Sequence, residues 1–312
     1  MADKTEDFGD FILPFQIEDL GLHGRLVRLG GSLEQAFARH DYPAVVSDVL
    51  GQAMALSTAL SASIKYDGIF TLQAQGDGPV GMLMSDVTSD GDLRGYVRFD
   101  DEHLSKLDDA SELSIPRLLG AGHMAFTVDQ GADTERYQGI VELEGGNLAE
   151  CAQNYFRQSE QLETALVVTA ESSDANAPRA GALMIQRLPA DAEGTYTRDE
   201  EDEAWRRAVV LMSSVTPAEI LDPALSPNEL LYRLYHEDGV RVFREKPIRH
   251  QCRCSKDKVS RTLASFPIAE ISEMADDGIA SVVCEFCKTE YTFPLSDIER
   301  ILDDVKAKAT ES

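Results

Sequence analysis

CRC at residues 252–254 and CEFC at residues 284–287 hold four of the five cysteines of this 312-residue chain. Two close pairs joined by a loop of residues 255–283 can converge on one metal ion, because such a loop closes easily and each pair supplies two thiolates. The first inference is therefore a tetrahedral site for one Zn²⁺ per chain. The predicted ligands are Cys252, Cys254, Cys284 and Cys287.

The first pair has one residue between its cysteines, where most structural zinc sites have two to four. Its sulfurs are therefore also close enough to oxidise to each other. Oxidation of one thiolate gives a sulfenic acid, which a neighbouring thiol condenses to a disulfide, and two such events would eject the zinc. Within each close pair the partner is already at hand. The site can be a redox switch, and a purely structural zinc site is the alternative.

The sequence around the cysteines predicts a small module. Ser255 is a candidate N-cap for a helix, residues 268–277 favour a second helix that ends at Gly278, and strands are expected at 279–283 and 290–293. A final helix is predicted from Ser296, with an inward face formed by Ile298, Ile301, Leu302 and Val305. A core of this size supplies only a few kcal/mol, whereas structural zinc contributes about 10–16 kcal/mol. Metal binding and folding should be coupled.

Residues 1–190 predict an α+β core domain. Residues 64–141 contain alternating apolar runs separated by turn signals, which favour an antiparallel meander. A helix is expected over 43–62, and two further apolar runs at 165–169 and 182–188 look like strands that return to the same sheet. The predicted fold is thus an antiparallel sheet with packed helices.

Residues 191–247 predict a helical linker, which leaves 248–312 as the C-terminal zinc-binding domain. An acidic boundary at 191–203 leads into a helix whose apolar stripe contains Trp205. Two more helices start at Thr216 and Ser226, each with proline at N1 and glutamate at N3. Because short helices are marginal alone, the order of this linker depends on tertiary contacts. Permanently packed helices are the alternative interpretation.

Composition excludes several partner classes. A net charge of −26 and a pI near 4.5 argue against nucleic acid and anionic membranes, since both require basic side chains. The N-terminus lacks an apolar signal region and no stretch of about 18 apolar residues is apparent, so a cytoplasmic protein is expected. Thiols are reduced there, which favours metal binding or oxidant sensing over structural disulfides.

Enzyme chemistry is not indicated. The glycine-rich segment at residues 76–81 is not followed by the lysine of a phosphate loop, and it favours a hairpin turn. The six histidines show no HExxH spacing. The CEFC motif does not open a helix inside a thioredoxin-like unit. Cys151 stands alone and is expected to be a small buried residue. Lys288 follows the second pair where zinc knuckles favour glycine, which suggests a strained turn.

The chain closely resembles the heat-shock protein 33 family of redox-regulated bacterial chaperones over nearly its whole length. The segments that carry the resemblance are GDGP at 76–79, SDGDLRGY at 89–96, YFRQSEQ at 155–161, LLYRLY at 230–235 and the four paired cysteines. The resemblance implies zinc on those cysteines when reduced, and disulfides Cys252–Cys254 and Cys284–Cys287 when oxidised. It also implies that oxidation unfolds the linker, promotes homodimerisation and exposes a surface for unfolded clients, without ATP.

The leading hypothesis from the sequence is a cytoplasmic holdase chaperone that acts in oxidative stress. It is inactive when reduced and zinc-bound, and oxidative zinc release activates it to hold unfolding proteins. Lys288 leaves the ligands intact and affects only the set-point of the switch. A zinc-ribbon scaffold that binds one partner regardless of redox state is the second hypothesis, and a thiol oxidoreductase the third.

Overall fold

The computed structural model describes residues 8–107, 114–131, 134–173, 176–187, 198–298 and 300. The strands are β1 (Phe11–Ile17), β2 (Leu22–Leu29), β3 (Ile69–Gly76), β4 (Val80–Thr88), β5 (Asp92–Phe99), β6 (Gly122–Asp129), β7 (Tyr137–Glu142), β8 (Thr164–Ser173), β9 (Asn176–Arg187), β10 (Val240–Val242), β11 (Lys246–Pro247), β12 (Arg249–His250), β13 (Ile279–Val283) and β14 (Glu290–Pro294).

The helices are α1 (Gly31–Phe37), α2 (Ala44–Ser61), α3 (Asp101–Leu104), α4 (Ile115–Leu118), α5 (Leu148–Tyr155), α6 (Arg198–Met212), α7 (Pro217–Leu221), α8 (Pro227–Tyr235), α9 (Lys256–Leu263) and α10 (Ile268–Met274). A π-helical turn, Phe156–Glu160, follows α5 directly. The described residues up to Gln251 form one compact unit, and those from Cys252 onward form a second. The predicted α+β class is confirmed.

The predicted meander is present in the first unit. Its strands lie in the order β12-β5-β4-β3-β6-β7 and pair antiparallel, except that β12 runs parallel to β5. On β3 the alternate residues Phe70, Leu72 and Ala74 are buried as the pattern predicts, because one strand face meets the core. On β4, Leu83 is fully buried, whereas Met82 and Met84 on either side of it are only partly buried.

A second sheet was not predicted. It has the order β10-β1-β2-β9-β8, with β11 also paired to β1. The prediction that the runs at 165–169 and 182–188 return to the meander was wrong, because β8 pairs with β9 and β9 pairs with β2. This sheet is covered on both faces, so β1 and β2 bury side chains of both orientations and lack the simple alternation of a half-exposed strand.

Helix α2 starts one residue after, and ends one residue before, the helix predicted over 43–62. It packs against strands of both sheets. Nearly all of its side chains from Val46 onward are buried. It is long and apolar enough to cross a membrane by composition, contrary to the expectation that no such stretch exists, but most of that window is buried inside the fold. Its apolar character therefore serves the core between the sheets.

Helices α6, α7 and α8 cover the other face of the second sheet. Their apolar residues form one buried cluster with strand residues such as Phe15 and Leu26. The predicted N-caps at Thr216 and Ser226 are confirmed, and each forms a complete capping box with the glutamate three residues on. The predicted linker helices thus belong to the first unit, whereas residues 191–197 at the predicted boundary lie outside the described residues.

The second unit is built on the β13–β14 hairpin. Its central apolar cluster consists, among the described residues, of Leu263, Ile271, Ala280, Phe293 and Ile298. Ser255 caps α9 as predicted, whereas α10 ends at Met274 and not at Asp277, with Gly278 in a left-handed turn at φ +76° before β13. Residues 295–298 are helical. The predicted inward positions Ile301, Leu302 and Val305 lie outside the described residues.

Candidate metal centre

Two loops of the second unit bring the four paired cysteines together. Cys252 and Cys254 lie in the extended segment before α9, and Cys284 and Cys287 lie in the turn between β13 and β14. That turn is closed by backbone hydrogen bonds from the Lys288 N–H to the Cys284 carbonyl (2.8 Å) and from the Cys284 N–H to the Thr289 carbonyl (2.9 Å). The hairpin therefore holds both sulfurs of the second pair at one end.

The sulfur geometry fits a tetrahedral ion. The Cys252 and Cys284 sulfurs are 3.8 Å apart and those of Cys254 and Cys287 are 3.5 Å apart. All four lie within 4.8 Å of one another. With Zn–S bonds of about 2.3 Å, the sulfurs of a tetrahedron stand about 3.8 Å apart. A disulfide needs about 2.0 Å, and none of the four cysteines forms one. The donor set and its spacing could hold one thiophilic divalent metal.

The electrostatics of the cluster also favour a cation. Burial raises the pKa of Cys254 to about 12, and burial also raises the pKa of Cys284. At Cys287 burial acts in the same direction, but hydrogen bonding with Thr289 and the neighbouring thiols outweighs it and lowers the pKa to about 6. Without a metal, the protonated form is therefore favoured at Cys254 and Cys284 and the thiolate at Cys287. A bound divalent cation would remove that restriction, because it favours the ionised form of each ligand.

Two neutral hydroxyl groups contact the sulfurs. The Tyr291 hydroxyl donates to the Cys254 sulfur at 3.1 Å, and a hydrogen bond of 3.3 Å joins the Cys287 sulfur and Thr289 Oγ1. Of the nearby ammonium groups, that of Lys258 donates to the Arg253 carbonyl and that of Lys288 pairs with Glu285.

Lys288 has a φ of +53°, the left-handed conformation that glycine adopts without strain. This agrees with the expectation of a strained turn after the second cysteine pair. The strain lies one residue beyond Cys287, so it affects the turn that positions that sulfur. It does not remove a ligand.

Cys151 lies apart from this cluster, in α5 of the first unit. Its side chain is fully buried, and burial raises the pKa of its thiol to about 11. A protonated, inaccessible thiol has little nucleophilic or metal-binding character. Cys151 therefore behaves as the small buried residue that the sequence predicted.

The sequence argument missed the platform that the linker helices cover. Apolar side chains of β1 and β2 on one face of the second sheet, among them Leu13, Phe15 and Leu22, pack under α6 and α8. An ionic cluster adds to this packing, since Arg187 at the end of β9 contacts Glu201 (2.8 Å) and Asp202 (2.7 Å) of α6. The sequence signal for this platform is the set of apolar residues in FILPFQI (residues 11–17) and LHGRLVRL (residues 22–29).

Comparison with known proteins adds evidence that covers most of the chain. A family model described as Hsp33 protein matches residues 10–294. The 33 kDa chaperonin of Caulobacter vibrioides is 40% identical over 299 residues, which cover 93% of this chain and 98% of the relative. That of Nitrosococcus oceani is 39% identical over 300 residues, 96% of each chain.

The crystal structure of the 33 kDa chaperonin (heat shock protein 33 homolog) from Thermotoga maritima superposes with a TM-score of 0.80 at 23% identity. The match covers 96% of this chain and 99% of that one. At this identity the likeness concerns the fold. The fold of this chain, with its sheets, linker helices and cysteine unit, therefore resembles one already seen in a solved structure.

Proposed function

This chain belongs to the Hsp33 family of chaperones, and on that premise we propose that it is a redox-regulated, ATP-independent holdase. Reduced and zinc-bound, it is inactive. After oxidation and zinc release it binds unfolding proteins and prevents their aggregation under oxidative stress. The observation that carries the proposal is the convergence of four cysteine sulfurs, none in a disulfide, to within 4.8 Å of one another in a unit whose described residues form a very small core.

The proposed ligands of one Zn²⁺ per chain are Cys252, Cys254, Cys284 and Cys287. Four sulfur donors at tetrahedral spacing are typical of structural zinc sites, while harder ions such as Mg²⁺ and Ca²⁺ require oxygen ligands. When bound, zinc supplies folding free energy of about 10–16 kcal/mol. The protein's own part is to present the sulfurs on two closed loops and to exclude other donors from the shell.

The proposed activating oxidant is a peroxide. One cysteine sulfur attacks the O–O bond and becomes a sulfenic acid, and the other oxygen leaves as water after taking up protons. A second cysteine sulfur then attacks the first, an S–S bond forms and the hydroxyl leaves as water. Each disulfide removes two electrons from sulfur and reduces one peroxide. Two disulfides therefore consume both pairs and leave no thiolate to bind a metal.

We propose the pairings Cys252–Cys254 and Cys284–Cys287. The distances in the reduced cluster do not select them, since the sulfurs of Cys252 and Cys284 are also only 3.8 Å apart. Selection follows from chain connectivity, because closing a short loop costs less entropy than closing a long one. Once the first disulfide weakens metal binding and the unit loosens, the remaining close pair stays at high effective concentration.

We further propose that activation loosens α6, α7 and α8 and that the apolar platform beneath them contributes to client binding. The helices α7 and α8 have five and nine residues, lengths that are marginal without tertiary support. Their removal would expose large buried side chains of the platform such as Phe15 and Leu22. The acidic surface would keep such an exposed state soluble.

Unfolded proteins are the proposed partners, with homodimerisation on oxidation and a cytoplasmic location. The relatives are bacterial chaperonins, a class defined by binding other proteins and not by catalysis. We propose no catalytic function, no nucleic-acid partner and no membrane partner, since a net charge of −26 opposes both polyanions.

The decisive experiment measures zinc content and holdase activity on one sample before and after oxidation. Peroxide with mild heat should release about one zinc per chain, lower the helical content and give suppression of client aggregation without ATP, and reduction should reverse the activity. The reduced protein should suppress little. Binding of a single partner that is indifferent to redox state would instead favour the scaffold hypothesis.

A variant separates metal loss from oxidation. The Cys284→Ser, Cys287→Ser double substitution removes half of the proposed ligands, so the reduced variant should lack zinc and suppress aggregation constitutively. Cys151→Ala is the matched control, because that cysteine lies outside the cluster, and it should retain zinc and remain inactive when reduced. A double variant as compact and as inactive as the reduced parent would refute the coupling.

A further inference from the structure

The first unit contains an aromatic cavity that the proposed switch does not use. Its volume is about 310 Å³, which is within the lower range of small-molecule sites. Neither the cysteine cluster nor helices α6–α8 contribute to its walls. Its lining residues include Phe70, Phe126, Tyr137, Tyr155, Phe156 and Glu160.

A π-helical turn builds the polar end of this cavity. Tyr155 ends α5 and Glu160 ends the turn Phe156–Glu160. Residues five positions apart lie on different faces of an α-helix, but they lie one above the other when the turn closes by i→i+5 bonds. The Gln161 and Leu162 N–H groups both donate to the Phe156 carbonyl, and Gln161 is left-handed at φ +54°. This rare geometry places the Glu160 carboxylate beside the Tyr155 hydroxyl.

Two tyrosines hold that carboxylate. The Tyr155 hydroxyl donates to Glu160 Oε1 at 2.6 Å, and the Tyr137 hydroxyl donates to the same oxygen. Hydrogen bonding to Glu160 raises the pKa of Tyr137, and burial together with that carboxylate raises the pKa of Tyr155. Both phenols therefore stay protonated donors at neutral pH. The arrangement fixes the position of an anionic group.

The charge of Glu160 has no cationic partner in the described part of the chain. The recorded hydrogen bonds use only Oε1, and no lysine, arginine or histidine of the described residues lies within 4 Å of the carboxylate. Arg187 pairs with Glu163, Glu201 and Asp202. Arg25, whose guanidinium contacts Gln186 in the cavity lining, also donates to the Ala62 carbonyl. The half-buried carboxylate therefore presents a free negative charge and a free oxygen to the cavity.

Aromatic rings form the walls next to this charge. The rings of Phe126 and Tyr155 lie 4.7 Å apart at 44°, and that of Phe156 meets Tyr155 edge-on at 5.4 Å. Gly139 on β7 makes room for this stack, since a Cβ at that position would overlap the Tyr155 ring. The faces of aromatic rings carry negative electrostatic potential, which attracts cations within about 6 Å.

We propose that this cavity binds a small organic cation, a protonated or quaternary ammonium group on an apolar body. The ammonium would face Glu160 and the tyrosine rings, and the apolar body would lie against Phe70, Phe126 and Leu162. An anion would be repelled by the unpaired carboxylate, and a neutral ligand would leave that charge without a partner as it loses water. The cavity size limits the ligand to a compact molecule.

The test compares three probes of similar shape and different charge: 2-phenylethylammonium, 2-phenylethanol and 3-phenylpropionate. Titrations of the full reduced, zinc-loaded protein are followed by NMR shifts of the cavity side chains and by calorimetry. The ammonium should bind about ten-fold more tightly than the alcohol, with shifts centred on Tyr155 and Phe126, and the carboxylate should not bind. Equal binding of ammonium and alcohol, or binding of none of the probes, would overturn the proposal.

Variants assign the preference to one carboxylate. Glu160→Gln should abolish the preference for the ammonium while alcohol binding persists, which also shows that the cavity remains formed. Glu142→Gln removes an exposed carboxylate at the far end of β7 and should leave the preference unchanged. If Glu160→Gln disrupts the cavity, Tyr137→Phe provides a second test, since it keeps the charge and should retain the preference. Undiminished preference in a folded Glu160→Gln protein contradicts the assignment.

Discussion

The two units of this chain solve the problem of stability differently. The first buries two extended apolar clusters, one on each face of its second sheet, and needs no metal to form a core. The second buries a cluster of five side chains among its described residues and is organised around one two-stranded hairpin, a structure that is marginal by itself. Its thiol cluster therefore stands where a larger core would otherwise be required.

This contrast explains why a redox signal would act directly on the second unit only. Hydrophobic burial in the first unit does not depend on electron count, whereas thiolate ligation in the second disappears when sulfur is oxidised. One chain can thus contain a hydrophobic core that is insensitive to oxidants and a small unit whose fold depends on them.

The largest expected effect tests this division directly. Removing metal from the reduced protein with a strong chelator should cost the second unit about 10 kcal/mol or more of folding free energy. Amide hydrogen exchange should then be nearly unprotected across β13, β14 and α9, while α2 and β3 of the first unit stay protected. Restoring zinc should restore protection. Equal protection of both units after complete metal removal would show that the second unit does not need metal to fold.

Two matched core truncations test the same difference between the units. Phe293 in the second unit and Phe70 in the first are both 1% exposed, and replacing either with alanine should cost about 3–5 kcal/mol. The proposed coupling of folding and metal binding concerns the second unit alone, so Phe293→Ala should also weaken zinc affinity in a chelator competition. Phe70→Ala should lower the thermal stability of the first unit and leave zinc affinity as it was. A shift of zinc affinity in both variants would argue against separate cores.

One pH effect should arise in the first unit, apart from the cysteine cluster. Burial raises the pKa of Asp48 in α2 from 3.8 to about 6. The folded state therefore binds this proton more tightly than the unfolded state, so its stabilising contribution is present below about pH 4 and is lost as the pH rises through about 6.

Asp48→Asn should accordingly gain about 1 kcal/mol over the parent between about pH 5.5 and pH 7.5. Denaturant unfolding of the zinc-loaded, reduced proteins, followed by Trp205 fluorescence, measures the gain. Asp67→Asn, an exposed loop position, is the control and should show no such trend. A constant difference between Asp48→Asn and the parent at both pH values would show that burial of this carboxyl is not the cause.

The smallest effect concerns the turn after the second cysteine pair. Lys288→Gly should relieve the left-handed strain and stabilise the second unit by about 0.5–1 kcal/mol, seen as slower zinc release under peroxide. Lys288→Ala removes the ammonium but keeps the strain, so it should release zinc no more slowly than the parent. Equal slowing in both variants would assign the effect to charge.

Local patterns predicted the elements that are closed by local interactions. The capping boxes at Thr216 and Ser226, the N-cap at Ser255 and the extent of α2 could all be predicted because the groups that satisfy a helix start lie within three residues in sequence. The four cysteines that cluster could be recognised for a similar reason, since the spacing within each cysteine pair is a local property.

Predictions failed where a choice between distant partners was required. The runs that became β8 and β9 carry no local mark that assigns them to one sheet or the other. The strands β1 and β2 were missed because burial on both faces removes the alternation that identifies a strand. The segment YFRQSEQ was recognised only as a family signature, since its π-helical turn depends on packing against β6 and β7.

What the sequence alone determined is the local chemistry of this protein: where helices start, which sulfurs can share a metal, and how acidic the chain is. What only the tertiary structure decided is which surfaces face each other, including the platform under α6–α8 and the carboxylate held by Tyr137 and Tyr155. The physical reason is range. Caps and paired cysteines act over a few bonds, whereas sheet pairing and cavities depend on the packing of segments that are distant in the chain.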